Sequence, residues 1–90
     1  MNYKKAAEIM HVIALEYAEE YGGVPRCMSK KEDIKRHKNM IKEDVEDLEA
    51  IACHLMLGNV KYASKKVSDL DTIVRECVPN DLYVWLMERA

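Results

Sequence analysis

The stretch Ser29–Leu57 reads SKKEDIKRHKNMIKEDVEDLEAIACHLML. Apolar side chains recur at Ile34, Ile41, Val45, Leu48, Ala52 and Leu55, with Ile51 beside them. Steps of three, four and seven place these residues on one side of an α-helix. Ser29 and Glu32 have the S-x-x-E spacing of a capping box, so the helix is expected to open at Ser29. Gly58-Asn59 closes it. Such a helix has about 28 residues and, at about 1.5 Å each, a length of about 42 Å. One helix of that length sets the class. The expected fold is all-α, a compact three- to four-helix bundle built on a long antiparallel helical hairpin, with residues 1–90 as one helical domain.

The flanking segments agree. Tyr3, Ala6, Met10, Ile13, Tyr17 and Tyr21 form one helical stripe, widened by Ala7 and Ala14. This predicts a first helix over 3–21, stopped at Gly22-Gly23. After the Gly58 turn, Val60, Ala63, Val67, Leu70, Val74 and Cys77 keep helical spacing. They predict one helix over 60–77, paired with the central one as a hairpin. The central helix is longer, so its first turns, about Lys30 to Met40, are expected to overhang. Val78-Pro79 breaks the chain, and Asn80 is placed to cap a last helix over Asp81–Glu88 anchored by Leu82, Trp85 and Leu86. No segment alternates β-branched with polar residues over a strand's length.

Composition narrows the function classes. Apolar residues make up 49% of the chain, which is not the composition of a disordered segment. Fourteen basic and 16 acidic residues give a net charge of −2, so no global pull toward nucleic acid or an anionic membrane is expected. Cys27, Cys53 and Cys77 are odd in number and lack CxxC spacing, which reads as reduced thiols in the cytoplasm. Lys4-Lys5 before AAEIMHVIALEYA mimics a secretory signal, but Glu8, His11 and Glu16 interrupt the apolar run. No membrane association is expected.

One charge pattern stands out on the central helix. Lys31, Lys35, Lys38 and Lys42 fall within about 60° of one another at about 100° per residue, a basic ridge to which Arg36 adds charge. Lys31–Lys35 and Lys38–Lys42 are like-charge pairs four apart, which repel mildly. The ridge also begins at the positive end of the helix dipole, where lysine is disfavoured. Local helix physics thus gives no reason for these lysines to cluster. Lys31, Lys35, Arg36, Lys38 and Lys42 are the candidate partner-binding residues.

The turns that follow are acidic. Glu43-Asp44-x-x-Asp47 with Ser68-x-x-Asp71 resembles the EExxE…ExxD pattern of MazG-like nucleotide pyrophosphohydrolases, all-helical enzymes whose carboxylates hold magnesium. The resemblance covers about a third of the chain, puts Ser68 where an acid belongs and replaces two glutamates by Asp44 and Asp47. It implies magnesium-dependent nucleotide hydrolysis, and the expected hairpin would bring Asp47 near Asp69 and Asp71. Carboxylates one turn apart do offer oxygens to a hard cation.

Other chemistry has no support in the sequence. His11, His37 and His54 share no ligand spacing, and adjacent Cys53-His54 point about 100° apart on a helix. Gly-rich phosphate loops and zinc-finger spacings are missing. No catalytic residue, metal ligand or cofactor is therefore assigned. The expected function is a small non-enzymatic protein-binding module, an adaptor or inhibitor of the kind that phages and mobile elements encode. Nucleic-acid binding through the ridge and MazG-like hydrolysis are the alternatives. A homodimer sharing its broad apolar faces is a further expectation.

Overall fold

The structure, a computed structural model, describes all residues from Met1 to Ala90. It contains five helices and no strand: α1 (Tyr3–Tyr21), α2 (Lys31–Met56), α3 (Val60–Asp69), α4 (Thr72–Arg75) and α5 (Asn80–Arg89). The all-α class is as the sequence indicates. The longest pairing, however, is α1 with α2 rather than α2 with the helix that follows it.

Three polar contacts fix the direction of that pair. His11 meets Glu49, Tyr17 meets Asp44, and His37 meets the carbonyls of Tyr21 and Gly23. One number rises as the other falls, so the helices are antiparallel. Between them lie Ala6, Ala7, Met10, Ile13, Ala14 and Tyr17 from α1 and Ile41, Leu48, Ile51, Ala52 and Leu55 from α2, all buried. The alanines allow close approach of the backbones, and the larger side chains fill the space above and below them. Asn2 caps α1 by accepting a hydrogen bond from the Lys5 N–H at 2.8 Å.

The capping box at Ser29 does not form. Lys30 is the N-cap residue of α2 and makes no side-chain cap bond. This turn is exposed, so water can satisfy its free N–H groups, while Glu32 and Asp33 complement the dipole. The α2 C-terminus behaves as expected, and Gly58 takes the left-handed conformation at φ 73°.

The expected single helix over 60–77 is broken. Leu70 and Asp71 are extended, with ψ of 144° and 151°, and divide α3 from the short α4. Ser68, Asp69, Asp71 and Thr72 crowd this point, and such side chains compete with helical backbone hydrogen bonds. The bend turns Val74 and Val78 into the core beside Leu82 and Leu86 of α5. Helix α5 packs on α3 and sets Trp85 edge-on against Tyr3 of α1 at 5.6 Å. Asn80 is its first residue and Pro79 its cap, one step earlier than expected.

The molecule measures 45 × 21 × 19 Å. Helix α2 alone, at about 1.5 Å per residue, accounts for most of the long dimension. No helix is long and apolar enough to cross a membrane. Leu48 is fully buried in the α1–α2 seam, so Leu48→Ala should cost about 2–5 kcal/mol in denaturant unfolding. Exposed Leu15→Ala should stay within about 0.5 kcal/mol. Gly58→Ala should cost about 1–2 kcal/mol, because a Cβ is strained at that φ.

Candidate functional site

The core ends before α2 does. No residue between Tyr17 and Ile41 is buried. The first ten residues of α2, with the connection 22–30, form a tip beyond the buried core, held to the end of α1 through His37. Lys31, Lys35 and Lys38 are exposed on it, and Lys42 is exposed just past it, one residue beyond the buried Ile41. Lys42 lies 3.9 Å from Glu46. Lys31, Lys35 and Lys38 have no carboxylate within 4.0 Å.

Arg36 is separated from this ridge. At about 100° per residue it lies about 130° round the helix from the ridge centre. Its pair is Asp33, at 3.9 Å, rather than the Glu32 that the four-residue spacing suggests. The tip thus has two faces, one with the lysines and one with Arg36.

Charge is concentrated here. From Arg26 to Lys38 the chain carries six basic and two acidic residues, a net of +4. The whole chain carries −2, so the remaining residues carry −6. A small net charge conceals a strong separation, with the positive end at the tip.

His37 positions the connection. Its Nε2 lies 3.1 Å from the Tyr21 carbonyl and 3.2 Å from the Gly23 carbonyl. Both oxygens only accept, so Nε2 carries the proton and donates to both. This clasp satisfies the last carbonyl of α1, at Tyr21, and the Gly23 carbonyl just beyond the helix. The Met28 N–H donates to the Pro25 carbonyl at 3.0 Å, closing a turn against α2. Met28, Asp33, Arg36, His37 and Met40 line a shallow groove of about 220 Å³. Sequence reading missed both the clasp and the groove. The available signal was Met40, an apolar residue off the core stripe.

The acidic pattern resembling the pyrophosphohydrolases is dispersed among separate partners. Asp44 accepts the Tyr17 hydroxyl at 2.7 Å. Asp47 lies 3.4 Å from the Lys66 ammonium. Asp47 and Asp69 do share a groove, but Lys65 and Lys66 share it too, and Asp71 is not among its lining residues. No three His, Cys, Asp or Glu side chains are grouped to hold a metal ion. The residues present do not fit the magnesium cluster that the resemblance implies.

The other singled-out residues have structural partners. His54 stacks on Tyr62 with ring centres 3.9 Å apart, and its neighbour Cys53 is exposed. Trp85 sits between Tyr3 and Arg89, whose guanidinium lies 4.3 Å from the ring centre. The Trp85 indole N–H is buried without an acceptor. Comparison with protein-family models, curated proteins and solved structures finds no match for this chain.

Burial and the Asp44 hydrogen bond hold the Tyr17 phenol well above its ordinary value, and the neighbouring Glu20 charge raises Tyr21. The folded state therefore keeps protons that the unfolded chain releases near pH 10. Stability should fall as pH rises beyond 10, since the native state then binds more protons. Tyr17→Phe should flatten that fall in unfolding curves measured across the range. Burial also raises the Cys77 thiol, whereas Cys27 and Cys53 are exposed. Alkylation followed by mass spectrometry should therefore label Cys27 and Cys53 well before Cys77.

Proposed function

We propose that this chain is a non-enzymatic binding module, an adaptor or inhibitor, that docks an acidic surface of another protein onto its basic tip. One observation carries the reading. Lys31, Lys35 and Lys38 have no carboxylate within 4.0 Å, and they stand on the first ten residues of α2, where no side chain is buried. Packing does not require these residues, and helix energetics disfavours their clustering. An exposed positive cluster of this kind speeds encounter with a negative surface and selects against positive ones.

The remainder of the chain favours a protein over nucleic acid as the occupant. A net of −6 outside the tip repels a phosphate backbone that extends past the ridge. A protein partner need present acid only where the tip lands. The acidic residues of α2 fit this reading as a solvated and pair-forming face, with Lys42–Glu46 and Asp47–Lys66 as examples.

Replacing Lys31, Lys35, Lys38 and Lys42 together by glutamate should lower partner capture from the source cell at least tenfold. Circular dichroism should show helicity retained, because no core residue is touched and Lys31→Glu favours the dipole. Capture unchanged by the fourfold reversal would overturn the reading. A steep, near-linear fall of log affinity with log salt on a duplex probe would give the ridge to nucleic acid instead.

A further inference from the structure

We infer that the partner is gripped a second time, further along the same face of α2, where a trench between α1 and α2 takes one arginine or lysine side chain. The inference rests on the reading that the basic tip binds an acidic protein surface. It makes the bound segment a helix, acidic at one end, with that cation about 27 Å away along it.

The register of α2 aligns the two places. Lys31, Lys35 and Lys38 are followed, 18 residues on, by Glu49, Cys53 and Met56. Eighteen residues make five full turns at about 3.6 residues each, so both trios lie on one line of the helix, about 27 Å apart. Lys42 and Glu46 between them are exposed, as are Cys53 and Met56, so no helix of this chain covers the line. Ridge and trench are thus open to one straight partner.

The trench has its own chemistry. Ala7, Glu8 and His11 of α1 line it with Glu49, Ala52 and Met56 of α2, around about 340 Å³. Ala7 and Ala52 are buried and give it an apolar floor, and exposed Met56 adds an apolar wall. His11 Nδ1 lies 2.9 Å from Glu49 Oε2, whereas Glu8 has no basic group within 4.0 Å. Two carboxylates face one imidazole, so the lining stays negative whether His11 is neutral or protonated. An acidic side chain is repelled here. A purely apolar one would strip water from Glu8 without replacing it. Arginine and lysine meet both demands, laying their methylenes over Ala7 and Ala52 and bringing the charged head to Glu8.

One partner helix satisfies both ends. It presents acids at the same pitch of about 5.4 Å as the lysines they meet. Acids in its first turns and a cation near its last also complement its own dipole. Such a helix lies parallel to α2, its acidic turns on Lys31, Lys35 and Lys38 and its cation five turns later over the trench.

The test uses the full chain with its methionine methyls labelled with carbon-13, and three synthetic helical peptides. All share the same acidic N-terminal turns and differ at one position 18 residues on, which is arginine, norleucine or alanine. The arginine peptide should bind at least tenfold tighter than the other two and shift the Met56 methyl signal saturably. Glu8→Gln should erase that preference while the alanine peptide binds as before. Equal binding of all three peptides, with the Met56 methyl unmoved, overturns the trench and leaves the basic tip standing. Norleucine binding as tightly as arginine overturns the cation and the inference with it. Binding of none of the three overturns both the inference and the reading of the tip. Shifts that follow the concentration of the protein alone would make the occupant a second copy of this chain, and the inference as stated fails.

Discussion

The fold depends on how closely α1 and α2 approach each other. Ala6, Ala7 and Ala14 on one side and Ala52 on the other leave room for the backbones to come together. Met10, Leu48, Ile51 and Leu55 then lose nearly all contact with water. Everything C-terminal to this seam is added to it. Helix α3 supplies Ala63 and Val67, the bend at Leu70–Asp71 supplies Val74 and Val78, and α5 supplies Leu82 and Leu86. Polar contacts between α1 and α2 sit at the margins of the apolar seam and fix its register. Tyr17 to Asp44 is the most sheltered of them, which is why its phenol holds its proton so firmly.

Most of this architecture was legible in the residues. Helical spacing gave α1 within its observed limits and the α2 core stripe, of which only Ile34 and Val45 stay half-exposed. Spacing failed at two places for one reason. The steps Val67, Leu70, Val74 and Cys77 fit a continuous helix, yet the polar side chains between them break it, and Val78 takes the buried position expected of Cys77. Periodicity records which side chains prefer the interior and is silent about a backbone that bends to bring them there. Likewise, Ser29 and Glu32 have the spacing of a cap, but an exposed turn has water as a competing partner.

The choice of partner helix was harder to read. A two-residue turn at Gly58-Asn59 made α2 and α3 the natural pair, and they do lie side by side. Yet α3 stops after ten residues, whereas α1 offers nineteen. Apolar area decides pairing more than connection length does. The tip was partly legible. Four lysines at three- and four-residue steps announced the ridge, and the overhang followed from comparing helix lengths. Arg36 joined the ridge only because it is near in sequence, and the fold sets it on another face. The groove required knowing that His37 reaches back to Tyr21 and Gly23, a contact across the chain that no local pattern encodes.

The early end of the core at Ile41 also bears on how such a chain can change over generations. Residues 26–40 can be exchanged without disturbing the seam that folds the molecule, provided the clasp survives. Drift in the rest of the chain is limited by packing, while drift at the tip is limited only by what it touches. If the tip is the docking surface proposed above, a molecule divided in this way can follow a changing target quickly, because acquiring a new specificity does not require solving the folding problem again.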